Sequence, residues 1–146
     1  MNIKLQAAAE PDMDEVWAMF VPAMKPHVDR IWGWELDWQT SEFHRRFLEL
    51  NTSFLSVNRK KVGYVQYSLD QETTYLNMLI LNPECQGKQM GARVLNQIQA
   101  LQVNKPLRLR CFHINERALS FYQKNGFKII EREEKFLLMQ RDRLLN

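Results

Sequence analysis

Leu79-Ile80-Leu81-Asn82-Pro83-Glu84-Cys85-Gln86-Gly87-Lys88-Gln89-Met90-Gly91-Ala92 reads as an apolar strand, a proline turn, a glycine-containing loop and the opening of a helix. A strand that feeds a helix through such a loop leaves several backbone N–H groups unpaired at the helix N-terminus, where the positive end of the helix dipole reinforces them. Those donors suit an anion such as a pyrophosphate. Two other phosphate loops are excluded by spacing, since neither G-x-G-x-x-G nor G-x-x-x-x-G-K-[ST] occurs.

Outward from this stretch the pattern alternates between strand and helix periods. Upstream, Asn2 to Ala8 alternates as a first strand. Pro11, Asp12 and Asp14 open a helix with Met13, Val16, Trp17, Phe20, Val21 and Met24 at helical spacing. Pro22 and Pro26 are expected to end or kink it. Trp32 to Trp38 reads as a loop, and a second helix starts near Thr40-Ser41 with Phe43, Phe47, Leu48 and Leu50 on its buried side. Phe54 to Val57 and Val62 to Leu69 follow as strands around a basic turn, Arg59-Lys60-Lys61. A short Asp70-Gln71-Glu72 turn then leads to the strand Thr74 to Leu81, which completes an antiparallel meander. Downstream, the helix after the loop buries Met90, Val94, Leu95, Ile98 and Leu101. Leu107 to Cys111 is a strand, Glu116 to Lys124 a helix, and Phe127 to Ile130 and Lys135 to Met139 are closing strands. This order describes an α/β (α+β) layer of sheet and helices, not a doubly wound repeat.

The 146 residues carry no internal repeat or linker, so one domain spanning 1–146 is expected. No segment has the length of a membrane span, and Met1 to Gln6 lacks a signal-peptide run. Two cysteines, Cys85 and Cys111, make no disulfide framework and have no metal-ligand spacing, so no metal is expected and a reducing cytoplasm is the natural setting. The net charge of +3 is mild and the basic residues are scattered without interleaved aromatics, which argues against nucleic acid as a partner.

A second motif joins the first: Asn115-Glu116-Arg117-Ala118-Leu119-Ser120-Phe121-Tyr122-Gln123-Lys124-Asn125-Gly126-Phe127. With Gln86-x-x-Gln89-x-Gly91, it resembles the GCN5-related N-acetyltransferase (GNAT) superfamily. Motif A of that family is close to Gln/Arg-x-x-Gly-x-Gly/Ala, and motif B to Asn-x-x-Ala-x-x-Phe-Tyr-x-x-x-Gly-Phe. Motif B is matched at each of its defined positions, and motif A departs only at Gln89, where the family often has glycine. A negative φ lets Gln89 point to solvent, whereas a required positive φ strains it. The resemblance implies a mixed, mostly antiparallel sheet of about seven strands flanked by about four helices, splayed at the cofactor site.

The resemblance further implies acetyl-coenzyme A as co-substrate. Its pyrophosphate is expected on the N–H groups of Gln86, Gly87, Lys88, Gln89, Met90, Gly91 and Ala92. The pantetheine arm is expected on the backbone of Leu79, Ile80 and Leu81, which would also polarise the thioester carbonyl. Tyr122 is the expected proton donor to the departing thiolate, because a phenol near ~10 can protonate or hydrogen-bond a thiol near ~8.5. The alternative for Tyr122 is a core aromatic on an amphipathic helix. Asn115 resembles the cofactor-contacting Asn of the family, or serves only as an N-cap.

The acceptor side is less defined. Tyr75, Asn77 and Leu79 share one strand face without a carboxylate, and Asn77 with Tyr75 can hold a water that relays the proton of the attacking amine. Glu35, Asp37, His27 and His113 are the other candidate bases. Trp32, Trp34 and Trp38, with Glu35 and Asp37, suit a cationic amine or simply close the core. On the substrate side the expected residues are therefore Trp34, Glu35, Tyr75, Asn77 and His113. Three functions follow: acetyl transfer to a small-molecule primary amine in a ternary complex, acetyl transfer to a protein α-amine or lysine, or an acyl-coenzyme A sensor without turnover. A homodimer is compatible with the resemblance, and no residue pattern points to it.

Overall fold

The computed structural model describes residues 2–144. Among them run β1 (Ile3–Ala7), α1 (Met13–Ile31), α2 (Leu36–Glu49), β2 (Asn51–Val57), β3 (Lys60–Leu69), β4 (Thr74–Leu81), α3 (Met90–Gln99), β5 (Leu107–Phe112), α4 (Glu116–Lys124), β6 (Lys128–Arg132) and β7 (Phe136–Arg141). The strands form one mixed sheet in the order β1-β2-β3-β4-β5-β7-β6. The expected α/β architecture and element order are thus present. Contacts divide the chain into two units. The first holds the chain up to Gln66 with Met78–Gly91, and the second holds Tyr67–Asn77 with the chain from Ala92 onward.

In the first unit, Val16 and Phe20 of α1 and Phe43 and Phe47 of α2 cover Phe54, Tyr64 and Ile80. Trp17 lies edge-on to Phe43 with ring centroids 5.1 Å apart, so aromatic contacts add to burial there. Two expectations fail in this region. Helix α1 continues through Pro22 and Pro26, because both prolines and the Ala18 backbone freed by Pro22 lie on its exposed side, where water satisfies what the missing N–H groups do not. Helix α2 starts at Leu36 rather than Thr40. Gly33, at φ +81°, terminates α1, with the Trp32 and Gly33 N–H groups both donating to the Val28 carbonyl. Glu35 is then the extended N-cap, and its carbonyl accepts the first helical bond from Gln39.

Leu48, expected to be buried, is 56% exposed, as is Trp38 on the same helix. Leu101, expected on the buried side of α3, is also exposed and falls past the end of that helix. The β2–β3 turn is Asn58-Arg59, both at positive φ, so the strands on either side run longer than expected. Lys61 is not merely a solvated turn residue. It pairs with Glu15 at 2.9 Å, and its ammonium lies 4.0 Å from the Phe54 ring centroid.

In the second unit, β4 and β5 pair in parallel through Thr74–Leu76 and Leu107–Leu109, and the ladder stops there although both strands continue. β5 pairs with β7 along its whole length, and β6 joins β7 with a bulge between Ile129 and Glu131. The buried Gln99 amide donates to the carbonyls of Lys105, Arg141 and Asp142, which anchors the chain after β7 to the end of α3.

Candidate active site

The loop expected to bind the donor is built from backbone. Pro83–Cys85 forms one tight turn in which Cys85 N–H donates to Asn82 and Gln86 N–H to Pro83. The Gln86 N–H expected to meet an anion is therefore already spent, and its side-chain amide donates to the Leu81 carbonyl at 3.1 Å. From Gly87 the chain turns twice through the left-handed region, with Gly87 at φ +78° and Gln89 at φ +62°. Gln86 to Gln89 are all exposed. Helix geometry then leaves the N–H groups of Met90, Gly91 and Ala92 without intrahelical acceptors. Alternating left-handed residues before a helix form a concavity of N–H groups that suits an anion. The Gln89 question resolves as the strained case: the position requires positive φ, and glutamine adopts it at a cost of about 1 kcal/mol.

Upstream of the loop, the carbonyl of Ile80 points at β3, over Gly63. Backbone groups alternate along a strand, so those of Leu79 and Leu81 face the other edge, and the Leu81 carbonyl there is held by Gln86. Counted back from Asn82, whose N–H faces β3, Leu79 is the residue of the three whose backbone groups face away from β3, beyond the end of the β4–β5 ladder and without the Gln86 bond that Leu81 accepts.

The second motif lies in the other unit. Asn115 caps α4, its Oδ1 accepting the Ala118 N–H at 3.1 Å, as expected of an N-cap. Tyr122 sits in the last turn of α4 against the edge of Phe127, centroids 5.5 Å apart, and its carbonyl accepts the N–H groups of Asn125 and Phe127. Part of the residue is exposed, but the phenol end is desolvated. Burial, with Cys111 nearby, pushes the phenol well above its ordinary range rather than leaving it unperturbed. The shift makes the phenol a weaker acid than a free tyrosine, so it acts as a hydrogen-bond donor more readily than as a source of protons. Burial also pushes the Cys111 thiol up to about 11, which keeps it protonated and unreactive.

On the expected acceptor side, Tyr75 belongs to a network that sequence reasoning missed. Arg110 grips Glu133 with Nε at 2.9 Å and Nη2 at 3.2 Å, and donates through Nη1 to the Tyr75 hydroxyl at 3.3 Å. The Arg110 guanidinium holds the Glu133 carboxyl below the usual carboxylate range. His113 lies at the same turn, with Nε2 at 2.8 Å from the Glu133 carbonyl and 3.0 Å from that of Phe136. Carbonyl oxygens only accept, so Nε2 is the donor in both contacts. His113 thus staples the β6–β7 turn. The sequence signal for this network is the alternation of Arg108 and Arg110 along β5, which by itself reads as scattered charge. Asn77 lies one residue beyond the end of the β4–β5 ladder, half-buried.

In the first unit, Trp34 packs on Trp17 and Phe20 at 6.1 and 6.3 Å, with the Lys25 ammonium 5.8 Å from its ring centroid. The indole is packed against the core and forms part of its wall. Glu35 is exposed and makes no side-chain cap bond. A groove of about 550 Å³ lies between α1 and α2, bounded by Met13, Trp17, Leu36, Asp37, Phe43 and His44; neither Trp34 nor Glu35 lines it. Among the described residues, no group of three His, Cys, Asp or Glu side chains is placed to hold a metal.

The acetyltransferase (GNAT) domain profile matches residues 50–129, from the start of β2 into β6, and so takes in both motifs. The chain belongs to the GNAT acetyltransferase family. GNAT enzymes of known structure share its fold over nearly the whole length. PaiA N-acetyltransferase of Thermoplasma acidophilum, solved with coenzyme A, is 18% identical with a TM-score of 0.77, over 97% of this chain and 99% of that one. PseH N-acetyltransferase of Campylobacter jejuni, solved with acetyl-coenzyme A, is 17% identical with a TM-score of 0.67, over 97% and 99%. Naa50 of Arabidopsis thaliana, solved with the bisubstrate analogue CoA-Ac-MVNAL, is 14% identical with a TM-score of 0.68, again over 97% and 99%. No curated protein sequence matches this GNAT chain significantly. No described helix is long and apolar enough to cross a membrane.

Proposed function

We propose that this GNAT protein is a single-domain, cytoplasmic N-acetyltransferase that moves acetyl from acetyl-coenzyme A to a primary amine of a small molecule, by direct attack in a ternary complex. The observation that supports the reading is Tyr122, a phenol held on the motif B helix against Phe127 and inside the stretch that the GNAT profile matches. A binding module has no use for a proton donor there, whereas a departing thiolate needs one.

Acetyl-coenzyme A supplies the activated thioester. The N–H groups of Gly87 to Ala92 take the pyrophosphate, and Asn115 lies at the start of the helix that carries Tyr122. The open backbone groups of Leu79 meet the arm and polarise the thioester carbonyl as negative charge develops on it. The amine attacks that carbon, the C–N bond forms and the C–S bond breaks. The Tyr122 hydroxyl donates a hydrogen bond to the leaving sulfur, and where it passes on its proton it regains one from water as coenzyme A leaves. The proton of the amine passes to water held by Asn77 and Tyr75, because that strand face carries no carboxylate. Two free, buried cysteines fit a reducing compartment.

The test is thiol release from acetyl-coenzyme A in the presence of a panel of small primary amines, amino acids and peptides. The reading expects release above hydrolysis with at least one small amine. Release with peptides alone moves the acceptor to a protein amine. Coenzyme A binding without release from any acceptor overturns the enzyme.

A further inference from the structure

Gly63 stands in the interior of β3 between buried Val62 and Tyr64, at a position that is neither a turn nor at positive φ. Glycine weakens a strand interior, so its place there needs a cause, and close approach of another backbone is one. A Cβ at residue 63 would lie 2.0 Å from the Ile80 carbonyl oxygen, 2.9 Å from the Ile80 carbonyl carbon and 3.0 Å from the Leu81 Cα. All three obstacles are backbone, so no side chain can swing aside. The register is pinned one residue away, where Asn82 N–H donates to the Val62 carbonyl at 2.8 Å.

We infer that Gly63 is a positioning residue for the donor half of the site: the missing side chain lets β4 press against β3 at Ile80–Leu81 and so aims the neighbouring backbone at the ligand. The inference rests on the reading above, in which Leu79 meets the coenzyme A arm. Carbon and carbonyl oxygen pack no closer than about 3.3 Å, so a methyl group at 63 drives β4 back by about 1 Å. The displaced residues are those that set the direction of the Leu79 groups and hold Gln86 through the Leu81 carbonyl. A shift of this size in a positioned reactant can cost about 10²-fold in rate.

Coenzyme A affinity is measured by calorimetry for the wild type, Gly63→Ala, Asn82→Pro and Val65→Ala, together with thermal unfolding and the KM values of both substrates. Val65 is fully buried on the same strand, and its truncation loses packing while leaving the close backbone approach at residue 63 as it is. Asn82, at φ −55° and ψ 145°, has dihedral angles that proline shares, yet proline deletes the bond to Val62 and sets its ring carbon against the Val62 carbonyl, which also presses β4 away from β3. Gly63→Ala is expected to weaken coenzyme A at least tenfold and Asn82→Pro severalfold, with the acceptor KM unmoved. Val65→Ala is expected to change affinity less than twofold at an equal or larger loss of stability. Should Gly63→Ala fail to fold, Asn82→Pro decides. Affinity within twofold of wild type in a folded Gly63→Ala or, where it does not fold, in Asn82→Pro, or an equal loss in Val65→Ala, overturns the inference. A wild type that binds no coenzyme A overturns the functional reading itself, and the inference with it.

Discussion

The donor loop and the Trp32–Trp38 segment are both short connections beside a helix start, and they are built on opposite principles. From Gly87 to Ala92 the groups proposed to bind the donor are backbone N–H groups, aimed by two left-handed residues and a helix N-terminus. From Trp32 to Trp38 the backbone does ordinary capping work. What distinguishes that segment is which side chains turn inward: Trp34 joins the core, while Trp32 and Trp38 are more than half exposed. A site made of backbone tolerates almost any side chain that keeps the dihedral angles. A site made of side chains changes with every substitution. One family can therefore hold a single donor while its acceptors diverge.

The largest expected effect tests Tyr122, a donor-side group proposed to act through its side chain. Tyr122→Phe keeps the ring on Phe127 and removes the hydroxyl, so kcat is expected to fall about 10²-fold, the usual lower range for loss of a general acid. Coenzyme A affinity is expected to stay within twofold, because the loop supplies it. Steady-state kinetics with calorimetry reads both. An unchanged kcat removes Tyr122 from the mechanism and leaves it a core aromatic.

Next in size is Trp34→Ala. A half-buried indole against Trp17 and Phe20 is worth about 2 kcal/mol of stability when truncated, less than a fully buried one. Denaturant unfolding measures it. A loss below about 0.5 kcal/mol, within the range of ordinary surface substitutions, with a raised acceptor KM, makes Trp34 a binding residue. The full loss with an unmoved KM makes it wall.

The same contrast explains what is legible in the sequence. Asn115, Gly126 and the strand–turn–helix around Pro83 are set by local backbone chemistry, and each appears where the sequence puts it. The limits of α1 and α2 are misplaced from sequence because two prolines outweigh Gly33 as a local signal. Proline ends a helix only where its freed carbonyl has no alternative, and on the exposed side of α1 water is the alternative. The Arg110–Glu133–Tyr75 network is illegible because it joins residues 35 and 23 apart in sequence through side-chain reach alone. Gly63 looks like an ordinary strand residue, since nothing local reveals a carbonyl arriving from residue 80.

A smaller effect sharpens the backbone side. Gln89→Gly relieves the left-handed strain but gives the unfolded chain more freedom, so the net gain is at most about 1 kcal/mol. Gln89→Val, β-branched at the same φ, is expected to cost more than that. Thermal unfolding orders the three as Gly above Gln above Val, with coenzyme A binding retained in Gly. If Gln89→Gly is less stable than wild type, the side chain at 89 holds something that its exposure does not suggest.

The smallest effect concerns the β6–β7 turn and depends on pH. Arg110 lowers the Glu133 pKa in the folded protein, so this pair contributes stability above the carboxyl's unfolded value near ~4.3, and the contribution disappears as pH falls through the lower, folded value. Both partners are solvent-exposed, which keeps the contribution small at any pH. Wild type and Glu133→Gln are therefore expected to differ slightly in stability at pH 7 and to converge at the acid end, below that folded value. Because Arg110 also holds the Tyr75 hydroxyl, the substitution is expected to raise the acceptor KM by more than its stability cost suggests, while the acetyl-coenzyme A KM stays fixed. A stability gap that persists unchanged at the acid end means that the glutamine has altered packing at the turn rather than removed a charge. A KM change shared by both substrates means that the turn serves the donor as well, and the division between a backbone-built donor side and a side-chain-built acceptor side then fails at β5.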